Sequence, residues 1–421
     1  MTSTLRCKAL SILIALCLSA PAAFAGPSLV FDASSGEVIS QDRAGEPWYP
    51  ASLTKLMTAY VVFQKLKAGQ LKLDQQITVS PLAARQPASK LGLQPGGTLT
   101  VDFALQALLV YSANDIAYVL AEAADGTTQR FVQDMNLAAN RLGMSATYFA
   151  NPNGLFDPRQ VTSARDIGLL ASTILREFPE HAHYFSQPLL AIGKRRLMNR
   201  NMLLRQMKIA DGMKTGFICN AGYNLVASAT ANGRKIIAVV LGANGGKART
   251  DLAQMMLVSA LSRPPQAIHA RIGSIANSSL GKLVPADLTG TVCKGKNPAA
   301  MVRASTLSGW GISLGRYDNA QTADMALRGR LLGAREILQG GSSGVIKEPA
   351  GSRFSAMVWD LDQTSSQALC GFFRKQNAYC DVVTPEGFAS IATRAAQLEK
   401  TQPAAQGADS APRKKKRKGH R

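Results

Sequence analysis

Ser52 and Lys55 stand three residues apart in Pro50-Ala51-Ser52-Leu53-Thr54-Lys55, ahead of an apolar run from Leu56 to Phe63. Positions i and i+3 share a face of a helix, so the Lys55 amine can reach the Ser52 hydroxyl. A serine hydroxyl is a weak nucleophile near neutral pH until a base takes its proton. A lysine in apolar surroundings can be that base, because desolvation disfavours its charged form. The start of the helix also offers free backbone N–H groups and partial positive charge where an oxyanion would form. The chemistry open to this pair is acyl transfer through a serine ester.

Two further motifs support that chemistry. Ser112-Ala113-Asn114 follows an apolar run from Phe103 to Val110 and precedes a helical stretch, Asp115 to Ala123. Lys214-Thr215-Gly216 follows Ala210-Asp211-Gly212-Met213 and opens a strand-like segment. S-x-x-K, S-x-N and K-T-G in this order resemble the motifs of serine–lysine enzymes of the penicillin-binding and class A β-lactamase type. The likeness extends to Tyr49–Ala59, Ser112–Asp115, Asn151-Pro152-Asn153-Gly154-Leu155 and Asp211–Phe217 followed by Ala221-Gly222. These segments resemble the D-alanyl-D-alanine carboxypeptidases, the low-molecular-mass penicillin-binding proteins, over roughly residues 27–260.

The resemblance implies roles. Ser52 attacks the carbonyl between two D-alanines, Lys55 takes its proton, and Ser112 relays a proton to the leaving D-alanine. Asn114 holds the substrate amide, while Lys214, Thr215 and Gly216 serve the substrate carboxylate. Backbone N–H groups of Ser52 and Phe217 form an oxyanion hole. Arg249, in Lys247-Ala248-Arg249, matches a family arginine near the carboxylate pocket, with a surface arginine as the alternative. The implied partners are peptidoglycan stem peptides and glycan strands, with β-lactams as covalent inhibitors. No cofactor and no metal are expected.

Two rivals remain. A class A β-lactamase shares the acylation machinery but uses a glutamate and a water for deacylation. Between Asn114 and Lys214 the glutamates are Glu122, Glu177 and Glu180, and none lies in an E-x-x-x-N loop. A catalytically silent peptidoglycan-binding protein would not need Ser52, Lys55, Ser112, Asn114 and Lys214 together. Carboxypeptidase and endopeptidase action on the same bond class stay open.

The 421 residues exceed one typical domain, and a hydrophobic content of 46% suffices for proper cores. The net charge of +21 points to acidic partners. The four histidines form no HExxH or Cys/His cluster, which argues against a zinc hydrolase or a Ser-His-Asp triad. His181 and His183 read as an exposed helix-end pair. Residues 1–25 read as a signal peptide: Arg6 and Lys8, an apolar run from Ala9 to Leu18, then Ala23-Phe24-Ala25 as the cleavage site. Export to the periplasm, with cell-wall or inner-membrane association, permits disulfides among Cys219, Cys293, Cys370 and Cys380. Cys370 and Cys380 share one segment and could pair locally, whereas Cys219 reads as a small residue by the site; spacing does not settle the connectivity.

Fold class follows from texture. Ser28–Asp32 and Glu37–Ser40 read as a hairpin, helices fill the middle, and Tyr223–Thr230 and Lys235–Leu241 read as strands joined at Asn232-Gly233. Thr100 reads as a helix N-cap, Asp166–Leu175 as a helix, and Leu252–Leu261 as a closing helix. The expectation is an α+β catalytic domain over 26–263, with an antiparallel sheet built from both ends of the domain and a helical cluster, as in the penicillin-binding/β-lactamase fold.

Residues 264–305 read as a linker. Over 306–395 the strand and helix signals run β-α-β-β-α-β: Trp310–Leu314, Ala320–Leu332, Val345-Ile346, Phe354–Trp359, Ser365–Arg374 and Cys380–Val383. Gly311–Tyr317 before Asn319-Ala320, and Gln367–Cys370 later, resemble SPOR domains, which bind peptidoglycan glycan strands. Residues 396–421 read as a disordered basic tail ending Arg413–Arg421. Such a run favours contact with anionic membrane or wall polymer, and export argues against nucleic acid.

Overall fold

The computed structural model describes residues 26–263, 270–279, 284–293, 302–338, 340–348 and 352–401. The chain divides into two compact units, one to Lys296 and one from Asn297. The signal-peptide reading and residues 402–421 of the basic tail lie outside the described residues.

The first unit is built on a five-stranded antiparallel sheet: β1 (Ser28–Asp32), β2 (Val38–Asp42), β3 (Ala210–Ile218), β4 (Gly222–Ala231) and β5 (Arg234–Ala243). Its order is β2-β1-β5-β4-β3, so strands from both ends of the unit meet at the β1–β5 pairing. Side chains alternate across this sheet with period two. Leu29, Phe31, Ile237, Val239 and Leu241 join the core shared with the helices. Val30, Ile236, Ala238 and Val240 instead meet Ala253, Leu257 and Ala260 on the opposite face. The β4–β5 turn forms at Asn232 and Gly233, both with positive φ (51° and 74°), as a two-residue hairpin with matching twist requires.

The helical cluster comprises α1 (Thr54–Lys67), α2 (Val101–Gln106), α3 (Asn114–Asp125), α4 (Thr128–Arg141) and α5 (Ala164–Glu177), while α6 (Gly246–Leu261) covers the opposite face of the sheet. All ten residues from Thr54 to Phe63 are buried, which makes α1 a core helix with no solvent face at that end. Thr100 caps α2, its hydroxyl accepting from Phe103 N at 3.2 Å, and Ser163 caps α5 in the same way. α2 runs on into a π-helical turn, Ala107–Tyr111, that ends at Ser112 in the left-handed region (φ 66°). π-turns recur at functional sites because they re-aim the residues that follow.

Three expectations need correction. The 264–305 stretch is not a free linker: Val38 N donates to Ala270 O, Ile272 N to Gly36 O and Leu288 N to Asn220 O, so 270–279 and 284–293 lie on the first unit. Cys219 is no mere small residue, since it forms a disulfide with Cys293. His181 is buried, stacked on Phe63 at 4.4 Å between ring centroids, because the aromatic cluster of Phe63, Phe178 and Tyr184 offers it a flat apolar slot; His183 is exposed.

The second unit contains β6 (Trp310–Tyr317), α7 (Ala320–Gly333), β7 (Ser342–Lys347), β8 (Phe354–Leu361), α8 (Gln363–Lys375) and β9 (Asp381–Val383) in the βαββαβ order. The sheet order is β7-β8-β6-β9, all pairs antiparallel. Ile312, Leu314, Leu327, Val358 and Phe373 form its core on the helix-covered face. The Cys370–Cys380 disulfide forms there. A further helix, α9 (Pro385–Thr401), takes up the first part of the expected tail. It packs Phe388 with Ile346, Met357 and Trp359, so a second apolar layer forms beyond the expected core.

Candidate active site

The Ser52 turn is a short 3₁₀ segment, Ala51–Leu53, feeding α1. It is held from two sides by glycines that no other residue could replace without moving backbone. Gly154 has φ +83°, and a Cβ there would lie 2.0 Å from the Ala51 carbonyl oxygen. A Cβ on Gly216 of β3 would lie 2.9 Å from Pro50 O and 3.1 Å from Ser52 N. These contacts explain why the Asn-Pro-Asn-Gly and Lys-Thr-Gly motifs both end in glycine. Asn224 completes the frame, donating to Tyr49 O (2.9 Å) and Pro50 O (3.2 Å).

Lys55 is fully buried, and its Nζ has three neighbours: Ser52 Oγ at 3.0 Å, Asn114 Oδ1 at 2.8 Å and Asn153 O at 2.5 Å. The two carbonyl oxygens can only accept. A neutral amine spends its two hydrogens on them and turns its lone pair to the Ser52 hydroxyl, which then donates. These contacts suit a neutral Lys55 to accept the Ser52 proton. Burial holds its pKa well below the usual lysine range; the positive charge of Lys214 adds to this, and Asp115 opposes it.

Asn114 is fixed at both ends, accepting from Lys55 and donating to Pro87 O at 3.0 Å. In this arrangement it orients the base. Lys214, also buried, donates to Ser112 Oγ and to Thr215 O, each at 2.9 Å. Burial pushes its pKa down to about 7, helped by the nearby charges of Arg249 and Arg200. Arg249 is 6% exposed, donates to Asn224 O at 3.4 Å, and has no hydrogen-bond partner for its buried Nε among the described residues.

Ser52, Ser112, Asn114, Thr215, Gly216, Phe217 and Arg249 all line one cleft of about 350 Å³. Lys55 and Lys214 lie beneath it, bonded to Ser52 and Ser112. Every residue expected in the site is therefore gathered there. The cleft adds Leu155 of the Asn-Pro-Asn-Gly-Leu segment, and Arg200 and Tyr223, which sequence reasoning did not place in the site. Arg200 stacks over Tyr111 at 4.5 Å and is anchored through its backbone N to Val110 O. Its sequence signal, Asn199-Arg200-Asn201 after a hairpin, is that of any polar loop. Phe217, 42% exposed, packs on Tyr223 at 4.3 Å and forms an aromatic rim. Among the described residues that line the cleft, none is a carboxylate.

A half-buried serine bonded to a buried lysine at a helix start, backed by a second serine–lysine pair and set beside an antiparallel sheet, has the geometry of a serine acyl-transfer site. The model of the D-alanyl-D-alanine carboxypeptidase family matches residues 15–245, more than half of the chain, and the chain belongs to that family. It is 37% identical over 247 residues to the D-alanyl-D-alanine carboxypeptidase DacC of Escherichia coli (strain K12), covering 57% of this chain and 62% of that protein. It is 37% identical over 226 residues to DacA of Haemophilus influenzae, covering 52% of this chain and 58% of the relative. The match thus spans about three fifths of these curated relatives. Penicillin binding protein 5 of Haemophilus influenzae superposes with a TM-score of 0.56 at 35% identity, over 57% of this chain and 72% of that structure.

Proposed function

We propose that the protein is a serine-type D-alanyl-D-alanine carboxypeptidase that removes the terminal D-alanine from peptidoglycan stem peptides. The observation that carries this reading is the triple coordination of the Lys55 amine, which leaves its lone pair for the Ser52 hydroxyl. Ser52 Oγ attacks the carbonyl carbon between the two D-alanines while its proton passes to Lys55. The oxyanion faces the backbone N–H groups of Ser52 and Phe217, a reading supported by the close approach of Gly216 to Ser52 N. Each such donor is worth about 10²–10³ in rate. Collapse breaks the C–N bond, and the proton that Lys55 took passes by way of Ser112, which Lys214 holds, to the leaving amine, so that Lys55 is neutral again. Water then attacks the Ser52 ester while giving a proton to Lys55, which returns it to Ser52 Oγ as the ester bond breaks. Lys214, Thr215 and Arg249 offer the carboxylate of the terminal D-alanine its charge and hydrogen bonds. Asn114 serves first to aim Lys55, and its contact to the substrate amide is part of the same proposal.

β-Lactams, which carry a carboxylate and a strained amide, fit the same chemistry, and a related protein from Listeria monocytogenes has been crystallised in an ampicillin-bound form at 30% identity. A class A β-lactamase is disfavoured by the lack of a carboxylate among the cleft's described residues, since Glu177 instead accepts from Tyr60 and Glu180 sits beside His181.

The second unit is proposed to bind peptidoglycan glycan strands in the manner of SPOR domains. Its βαββαβ order and four-stranded antiparallel sheet support this. Export to the periplasm and contact of the basic tail with anionic membrane or wall complete the reading. Among the described residues no helix is long and apolar enough to cross a membrane. The direct test is incubation of the purified protein with pentapeptide muropeptides. Release of free D-alanine supports the reading, and an unchanged substrate defeats it.

A further inference from the structure

The strand that carries Lys214, Thr215, Gly216 and Phe217 ends at Ile218, and the next residue is Cys219, bonded to Cys293. The partner segment, 284–293, holds the same turn by other contacts. Leu288 N donates to Asn220 O at 3.0 Å, and Asn220 Nδ2 donates to Asp287 Oδ2 at 2.8 Å. Leu288 is buried against Gly222, where a Cβ would come within 2.9 Å of its side chain. Asp287 is itself ordered, accepting from Thr289 N at 2.8 Å.

What this turn holds on its other side is the substrate-facing wall. Trp48 Nε1 donates to Ala221 O at 3.0 Å, and Tyr223 supports the Phe217 ring. The carbonyl of Asn224 accepts from Arg249, and its side chain grips the serine turn. Arg249 and Tyr223 are also in cation–π reach, at 5.9 Å. The base end of the site has its own supports: Lys55 sits on α1 and is fixed by Asn114 of α3 and by Asn153 O, none of them in contact with 284–293 through the bonds above.

We propose that the segment 284–293, locked by Cys219–Cys293, is a positioning brace for the carboxylate-binding wall of the cleft. It sets how the Arg249 side chain and the Tyr223 and Phe217 rings meet the ligand; the serine turn and the Phe217 N–H keep their own supports in the Gly154 and Gly216 contacts, so the Ser52–Lys55 chemistry is unaltered. Cys219, Asn220, Asp287 and Leu288 are thus positioning residues. The inference rests on the acyl-transfer reading above.

The test compares the full-length parent with Cys219→Ser/Cys293→Ser and with Asp287→Ala, which keeps the disulfide. KM and kcat are measured on a synthetic peptide ending in D-Ala-D-Ala, with active sites counted by fluorescent penicillin. Mutations that alter coupling through a packed network change it by about twofold to thirtyfold. The expected result is a KM rise of that size in the double variant and a smaller one in Asp287→Ala. The kcat per labelled site and the pH at which acylation is half-maximal stay at the parent values. A staple acting on stability alone would lower the melting temperature and the fraction of labelled sites but leave KM unmoved, and that outcome overturns the brace. If the double variant does not fold, an unchanged KM in Asp287→Ala overturns it equally. A parent that takes no label at all defeats the acyl-transfer reading itself, and the brace with it.

Discussion

Lys214 donates to the Ser112 hydroxyl at 2.9 Å from a buried position, so the second serine of the site is held by a cation that burial discourages. Two buried lysines under one cleft influence each other: the charge of Lys214 helps to depress the pKa of Lys55. That coupling has kinetic consequences.

The pH profile of kcat/KM is expected to have two limbs with separate owners. Lys55 must be neutral to act as base, so acylation rises with pH through its depressed pKa. Lys214 must be charged to favour a carboxylate, and with a pKa of about 7 in the free protein its ammonium is lost as pH climbs past that value. Lys214→Gln should therefore abolish the alkaline limb near pH 7. It should also move the acid limb upward, because removing the positive neighbour raises the pKa of Lys55. The magnitude of the loss should be about 10²–10³ in kcat/KM, as for removal of one electrostatic donor. Stopped-flow acylation by penicillin between pH 5 and 10 measures both limbs. An alkaline limb that persists in the variant removes Lys214 from this role.

Gly154→Ala is a stringent probe of the serine turn. The added methyl would collide with the Ala51 carbonyl, and φ +83° is strained for any L side chain. The expected cost is on the order of 1–3 kcal/mol in stability. A roughly 10²-fold drop in acylation should accompany it through misplacement of Ser52. Thermal melts and penicillin labelling give the two numbers, and parent-like acylation would show that the turn does not depend on this contact.

Much of the site was legible because its residues are local signatures. Ser52 and Lys55 are linked by helical spacing, and the glycines of Asn-Pro-Asn-Gly and Lys-Thr-Gly mark close backbone approach. The hairpin at Asn232-Gly233 was legible for the same reason. Arg200 was not, since its place over Tyr111 depends on a loop returning from elsewhere in the chain. The Cys219–Cys293 pair joins residues 74 apart, and no spacing rule connects them. The 264–305 stretch looked like a linker because Gly, Ser, Asn, Pro and Lys recur in it without long apolar runs. Residues 270–279 and 284–293 are held by backbone hydrogen bonds and by scattered anchors, Ile272, Asn277, Asp287, Leu288 and Cys293, which form no periodic side-chain pattern. α9 was overlooked for a related reason: a single aromatic anchor, Phe388, carries much of its packing.

The division into two units predicts separable behaviour. A version ending at Lys296 keeps Cys293 and should retain penicillin labelling, whereas binding to purified cell-wall sacculi should require the second unit. Sedimentation with sacculi at moderate salt measures this, exposed charges being screened beyond about 10 Å at 0.1 M ionic strength. Equal binding by the shortened version would remove the targeting role. Loss of binding on removal of residues 402–421 alone would assign it to charge instead of the folded unit.

The central claim is that Ser52, activated by Lys55, forms the acyl-enzyme. Intact-mass and peptide-mapping mass spectrometry after incubation with penicillin tests it most directly. The account predicts one adduct per chain, mapped to Ser52, absent in Ser52→Ala and slowed in Lys55→Met, with both variants folded. An adduct on another residue, or one that forms at the parent rate in Ser52→Ala, would contradict it.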